Sequence, residues 1–276
     1  MGPSAIRYAG LDERLADLGV PVADWGNVET AIPEAAEMGD PRARFLHEIK
    51  EACERVARLV GTAAEAGATP IVLGGDHSVG LGTIGALAHA RGQGGAIWFD
   101  AHGDLNTPET TPSGNVHGMV LGAALGLAPD AFASEAWPLP ALDPARVMLV
   151  GTRSLDPGER EVVKELELGV YTMNELDRRG VEPCVREALE RAVGGAFVHV
   201  SLDMDVVDPD VAPGVGTPVR GGLSYREAHL AMELVADADV LDSLEIVEVN
   251  PVLDDRNETG KLAVELAASA LGARIL

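Results

Sequence analysis

Short apolar runs alternate along the chain with longer amphipathic ones, and the two kinds differ in period. P-I-V-L-G at 70–74, A-I-W-F-D at 96–100, V-M-L-V-G at 147–151 and A-F-V-H-V-S-L-D at 196–203 are β-rich and apolar nearly throughout, the pattern of strands buried on both faces. V-P-V-A-D-W at 20–25, V-Y-T-M at 170–173 and S-L-E-I-V-E-V at 243–249 join them, which makes seven predicted strands. Between them the period lengthens. In 43–66, Leu46, Ile49, Cys53, Val56 and Val60 recur at steps of three or four residues and define one apolar helical face. Segments 79–90, 159–168, 182–193, 224–236 and 257–273 read the same way.

Alternating strands and helices predict an α/β fold, a three-layer αβα sandwich in which helices cover both faces of a mostly parallel sheet. Crossover connections in such a sheet are right-handed. With no internal repeat and no low-complexity linker, one domain over 1–276 is expected. Two long loops break the rhythm. The 125–145 loop is rich in Ala and Pro and carries no obvious chemistry, whereas 101–116 is dense in polar residues. Loops of that length in compact domains usually carry function.

Charge narrows the field. The 276 residues hold 44 Asp plus Glu against 21 Lys plus Arg, a formal balance of −23, and only Lys50, Lys164 and Lys261 are lysines. Phosphate backbones and anionic membranes repel so acidic a chain unless its cations cluster, and these do not. Nucleic acid and membrane are therefore not expected partners. A content of 46% apolar residues argues against acidic disorder. No apolar stretch reaches spanning length, and M-G-P-S-A-I-R lacks a signal-peptide core. Cys53 and Cys184 are too few for a disulfide scaffold and read as small buried residues. A soluble cytoplasmic protein is the expectation.

The chemistry gathers at three strand ends: G-G-D-H-S at 74–78, D-A-H-G-D at 100–104, and S-L-D-M-D at 201–205. Ligands of parallel sheets bind beyond the carboxyl ends of the strands, so His77, His102, Asp100, Asp104, Asp203 and Asp205 fall on one edge. Four close carboxylates raise one another's pKa unless cations neutralise them. Two divalent ions bridged by carboxylates do so. Mixed N/O donors without thiolate suit a hard or borderline ion such as Mn2+. In a strand, the spacing of Asp203 and Asp205 points both side chains to one face. A lone Asp after a strand is ordinarily a turn former or helix cap, and Asp76 and Asp208 are assigned there. His47, His89, His199 and His229 have no acidic partners nearby in the chain and read as structural or surface residues.

In this order and spacing, G-G-D-H-S, D-A-H-G-D-L-N-T-P-E-T-T-P-S-G-N-V-H-G-M, S-L-D-M-D-V-V-D-P and E-V-N-P resemble the ureohydrolases, and within them the arginases, from G-P-S-A-I-R at 2–7 to residue 251. The resemblance implies an arginase/deacetylase-like sheet of about eight strands. That pattern has a strand and a G-V-x-x-G-P segment ahead of P-S-A-I-R, and the chain as given begins inside it at Met1-Gly2-Pro3, so the first strand is expected to be missing. A binuclear manganese centre is also implied. One Mn2+ would take His77, Asp100, Asp104 and Asp203, the other His102, Asp100, Asp203 and Asp205, with a metal-activated hydroxide attacking the guanidinium of L-arginine to give L-ornithine and urea. In the family pattern Asp104 handles the proton of the nucleophile, His117 is an acid/base histidine at the cleft mouth, and Glu248 pairs with the guanidinium. Asn106 and Ser113 match positions that read the α-carboxylate, Asp156 one that reads the α-amino group, and Thr217 one near the guanidinium. Ser154 stands where many relatives carry an acid. A trimer or hexamer is implied by resemblance alone.

Alternatives are an agmatinase, whose pattern does not carry the S-G-N-x-H-G-M block, or a formimidoylglutamase of the same family. A mononuclear zinc deacetylase-like site would not need both His77 and Asp205. A non-catalytic metal-binding homologue, inactivated by loss of the first strand, should have lost a ligand or His117, and none is missing.

Overall fold

In the computed structural model, which describes residues 1–274, six strands form one sheet: β1 (Ile71–Leu73), β2 (Gly94–Phe99), β3 (Leu142–Thr152), β4 (Gly169–Thr172), β5 (Val198–Asp203) and β6 (Ser243–Val247). Ile275 and Leu276, at the end of the expected domain, lie outside the described residues. The order is β1-β6-β5-β2-β3-β4, and every neighbouring pair is parallel. After β2 the chain moves outward to β3 and β4, then returns to place β5 beside β2 and β6 beyond it. The connections leaving β2 and β5 therefore diverge, which opens a crevice at their carboxyl ends.

Among the described residues eleven helices surround the sheet: α1 (Gly2–Tyr8), α2 (Leu11–Asp17), α3 (Leu46–Glu65), α4 (Gly80–Arg91), α5 (Val120–Ala124), α6 (Pro129–Phe132), α7 (Pro157–Glu165), α8 (Met173–Arg179), α9 (Val181–Ala192), α10 (Tyr225–Ala238) and α11 (Glu258–Ala270). The six helical segments expected from periodicity are α3, α4, α7, α9, α10 and α11. Strand alternation divides the core in two. Ile97, Phe99, Val200 and Leu202 face one cluster with α9, α10 and α11, whereas Ala96 and Trp98 face the other with α3, α4 and α5. Both cysteines are free and buried, Cys53 in α3 and Cys184 in α9. Among the described residues no helix is long and apolar enough to cross a membrane.

Three expectations need correction. The sheet has six strands among the described residues, where about eight were implied and seven were read from pattern. The missing member of the seven is 20–25, which is irregular and mostly exposed. It has neither a partner strand nor a buried face, and Pro21 cannot donate a ladder hydrogen bond. Instead, Arg7 in α1 grips it, donating to Asp24 at 2.6 Å, to Asn27 at 2.7 Å and to the Gly26 carbonyl. The third correction is β3, which starts at Leu142, inside the supposed 125–145 loop. Its register against β2 slips between Gly94 and Ala96, and this irregularity hides Leu142–Arg146 from a period count.

Close approach of α3 and α4 depends on Gly82. A Cβ there would lie 2.4 Å from the Cys53 carbonyl oxygen and 3.0 Å from its Cα, both backbone atoms that cannot swing aside. Gly61, inside α3, has open space around its Cβ position. Gly82→Ala is therefore expected to lower stability by about 1–3 kcal/mol through overpacking. Gly61→Ala should raise it by about 0.5–1 kcal/mol through helix propensity. Urea denaturation of the two variants checks both signs.

Candidate functional site

Five adjacent strands deliver side chains to one edge. His77 opens a 3-10 turn just beyond β1, Glu248 follows β6, Asp203 closes β5 with Asp205 two residues on, Asp100 to Asp104 follow β2, and Arg153 to Asp156 follow β3. The six residues picked from the turns after β1, β2 and β5 come together.

His77 is fully buried at the centre. Its Nδ1 lies 3.3 Å from Asp100 Oδ2, 3.0 Å from Asp104 Oδ2 and 3.2 Å from Asp203 Oδ2, yet among the described residues it has no hydrogen-bond partner of acceptable geometry. His102 Nδ1 lies 3.0 Å from Asp205 Oδ2 and 3.4 Å from Asp100 Oδ1. Donor atoms of His77, Asp100 and Asp203 lie within 4.8 Å of one another, as do those of Asp100, His102 and Asp205, so Asp100 is common to two clusters. A buried nitrogen aimed into three carboxylate oxygens, beside a second such group, fits a pair of cations and has no apolar explanation. The donor set is imidazole and carboxylate, which suits borderline or hard ions.

Electrostatics agrees. Burial and the charge of Asp100 push Asp104 up to about 7. Burial and neighbouring carboxylates also raise Asp203 and Asp205. Burial opposes the charged form of Asp100 too, but hydrogen bonds from His102 and His77 outweigh it and hold this carboxyl well below the usual range. Burial works against a charged His102, and its bonds to Asp100 and Asp205 reverse that, taking it up to about 12.

Local structure aims the carboxylates. Asp203 caps its turn by accepting from the Asp205 amide at 2.7 Å. Asp205 accepts from the Ala101 amide at 3.1 Å, and Asp100 from the His102 amide at 2.6 Å. Asp104 holds φ +52°, a left-handed conformation that Asp tolerates better than most residues. The left-handed φ of +63° at Glu248 turns that side chain back over the site. Glu248 Oε1 accepts from the His77 amide at 2.9 Å and stands 3.1 Å from His117 Nδ1, while Oε2 lies beside Gly216. Burial disfavours a charged His117, but the hydrogen bond and charge of Glu248 prevail and carry it up to about 9.

At the other end, Asn106 is buried and its Nδ2 donates to Asp156 Oδ2 at 3.0 Å. Asp156 caps α7 in a capping box with Glu159. Ser113 is exposed on the same loop, and among the described residues its hydroxyl bonds locally, to Thr111 and the Asn115 amide. Thr217 is exposed and donates to Asp205 Oδ2 at 3.1 Å, so it touches an acidic member of the cluster. Asp76 caps the His77 turn, and Asp208 accepts from the Asp210, Gly221 and Gly222 amides, as turn formers do.

Four supporting residues escaped motif reading. Trp98 stacks on His77 with centroids 4.1 Å apart and planes 3° from parallel, and its Nε1 donates to Asp100 Oδ2 at 3.1 Å. Glu159 accepts from the Asp156 amide at 2.8 Å and the Leu105 amide at 3.1 Å, tying the two ends of the Asn106–Asp156 pair together. Arg153 donates to the carbonyls of Gly151, Asp205, Val206 and Val219. Glu245, fully buried in β6, reaches His77 through Ser201. Spacing holds the clues: Trp98 and Ser201 each lie two residues before an Asp on the same strand face, and D-P-G-E is a capping-box pattern. His199 is buried as expected of a structural residue, but it does have an acidic partner, Glu245 Oε1 at 3.3 Å on the next strand.

A family model for the arginase family matches residues 1–272. The chain belongs to the arginase family. Arginase of Bacillus subtilis is 48% identical to it, over the whole of this chain and 93% of that protein. A crystal structure of arginase from Bacillus cereus superposes with a TM-score of 0.94 at 43% identity, covering all of this chain and 93% of that one. Arginase of Entamoeba histolytica, crystallised with L-ornithine, gives 0.87 at 30% identity, covering 99% of this chain and 91% of that one. Six strands flanked by helices are thus the arginase-type fold.

The His117–Glu248 pair yields a pH prediction for metal-free protein. A raised folded-state pKa means that the pair stabilises fully below the ordinary value of 6.5 and loses that stabilisation as pH rises through about 9. Glu248→Gln should bring the His117 midpoint down toward 6.5, read by NMR titration of the ring.

Proposed function

We propose that the chain is an arginase that hydrolyses L-arginine to L-ornithine and urea with two Mn2+ ions. The observation that carries this is Asp100 shared between two His/Asp clusters, buried but for the half-buried His102, with the Glu248–His117 pair beside them. Relatives named arginase at 45–48% identity over the whole chain support it. His77, Asp100, Asp104 and Asp203 would hold one ion, and His102, Asp100, Asp203 and Asp205 the other. When bound, the two ions neutralise the carboxylates and make water nucleophilic at neutral pH.

The protein's own groups do the rest. Glu248 keeps Oε2 free of the His77 amide and offers it to the guanidinium, a charged fork that pairs well with carboxylate. Asn106 and Ser113 read the α-carboxylate and Asp156 the α-amino group, which sets the reach of the substrate between the two ends. Thr217 steadies Asp205 from the guanidinium side. Asp104 accepts the proton released as water oxygen bonds to the guanidinium carbon. The bond from that carbon to the substrate's δ-nitrogen then breaks. His117, within hydrogen-bond distance of Glu248 at 3.1 Å, gives a proton to the departing amine. Agmatine lacks the carboxylate, so it forgoes the contacts assigned to Asn106 and Ser113 and should bind less well.

Residues 1–276 are one domain, cytoplasmic, assembling as a trimer or hexamer; these readings rest on resemblance and composition.

Purified protein loaded with Mn2+ is expected to release urea from L-arginine, and far less from agmatine or formimidoylglutamate. Metal analysis should find about two equivalents per chain, falling toward one in Asp205→Ala. Asp104→Asn should lower kcat by about 10²–10⁴-fold while KM moves little. Absence of urea from arginine in a sample with both ions bound overturns the reading.

A further inference from the structure

Beneath the cluster, a polar ladder crosses two strands that are otherwise apolar. The β5–β6 register pairs His199 with Ser243 and Ser201 with Glu245. Strand alternation then puts His199, Ser201 and Asp203 on one face, so the ladder ends at the site. His199 Nδ1 stands 2.7 Å from Ser243 Oγ, and Ser201 Oγ donates to Glu245 Oε1 at 2.7 Å. Ser201 Oγ is also 2.6 Å from His77 Nε2.

We propose that Glu245 is a positioning residue of the metal centre, fixing through Ser201 the orientation and tautomer of His77 that turn its Nδ1 lone pair toward Asp100, Asp104 and Asp203. The inference rests on the two-ion reading above. A hydroxyl has one proton, and Ser201 gives its own to Glu245 Oε1 at 2.7 Å. With that proton committed to Glu245, Ser201 can only accept from His77, so Nε2 carries the ring hydrogen. Nδ1 is then bare, as a ligand must be. Three carboxylate oxygens near Nδ1 favour the opposite arrangement, a hydrogen on Nδ1. Were Ser201 free to rotate, it could donate to Nε2 and that arrangement would win. Glu245 removes the choice.

Two further features separate this role from mere packing. Among the described residues Glu245 Oε2 is buried without a hydrogen-bond partner, and His199 Nε2 meets the carboxylate only at 3.3 Å. An imperfectly satisfied buried charge is a poor way to stabilise a core, where an apolar residue of similar volume does as well or better. Space has nonetheless been made for it. A Cβ on Gly80, the first residue of α4, would lie 2.8 Å from Glu245 Oε1.

The test is equilibrium dialysis of the full-length protein against Mn2+ for wild type, Ser201→Ala and Glu245→Gln, with denaturation of each in metal-free and metal-loaded form. Gln keeps the shape of Glu245 but can also donate, so it loosens the assignment without opening a cavity. Expected are two ions in wild type, a loss of about 10–100-fold in affinity at one of the two sites in both variants, and metal-free stability in Glu245→Gln equal to or above wild type. Once metal saturates, KM for arginine should stay near the wild-type value. Wild-type affinity at both sites in Glu245→Gln overturns the proposal while leaving the two-ion reading intact, and so does a loss confined to metal-free stability. A wild-type protein that binds no Mn2+ overturns the two-ion reading instead. Should Ser201→Ala fail to fold, Glu245→Gln decides alone.

Discussion

Four carboxylates cannot share one buried cleft as anions unless positive charge sits among them, and this constraint organises the molecule around Asp100, Asp104, Asp203 and Asp205. Two imidazoles lie between these carboxylates. Without added cations, protons must make up the deficit, which is why Asp104 moves up to about 7 and His102 up to about 12. Cations would replace those protons and restore four charged ligands. Such a site needs a rigid frame, because small displacements of like charges change their repulsion steeply at short range. Placing each acid at the end of a central parallel strand meets that need. β2 and β5 are buried along their whole length and are paired on both sides.

The same demand accounts for the residues behind the acids. Trp98 restrains two of them at once, its face against His77 and its N–H on Asp100. Arg153 gathers carbonyls of Asp205, Val206 and Val219, so one guanidinium fixes both ends of the loop that carries Thr217. Glu159 does for the far end of the cleft what Trp98 does for the metal end, coupling Leu105, next to Asn106, to Asp156. Its own carboxyl is raised, chiefly by burial, yet two backbone amides keep it anchored. Each supporting group bridges two chain segments that arrive from different strands, which is how a site assembled from five loops keeps one geometry.

How much of this the sequence discloses depends on the range of each interaction. The six ligand candidates were legible because strand ends and D-x-D spacing are local signals, and local chemistry survives folding. Trp98 and Ser201 were partly legible from the two-residue period, but their roles were not, since His77 reaches them from another strand. His199 looked solitary for the same reason: its acidic partner is 46 positions along the chain and adjacent only through the β5–β6 register. The false strand at 20–25 shows the converse failure. Its residues have strand propensity, but a strand exists only through a neighbour, and Arg7 ties this segment into an irregular loop instead. β3 was shortened in prediction because a register slip destroys the alternation on which the reading relies.

The acidic surplus divides along similar lines. Asp100, Asp104, Asp203, Asp205, Glu159, Glu245 and Glu248 are buried and have specific partners, whereas most of the remaining acids face solvent and act only as a field. A negative field draws in a cationic amino acid and weakens with salt. Arginine and ornithine carry the same single positive charge at neutral pH, so that field hastens the arrival of both alike and cannot tell substrate from product. Discrimination must come from shape at short range. A guanidinium is planar and presents several N–H groups in a fixed fork, whereas the ornithine ammonium is a compact point charge. Glu248 has one oxygen engaged by the His77 amide and His117 and the other turned toward Gly216, and in its proposed role it would favour the fork over the point. On that proposal the long-range charge would set how often substrate arrives, and the backbone turn that aims Glu248 would set whether it is recognised.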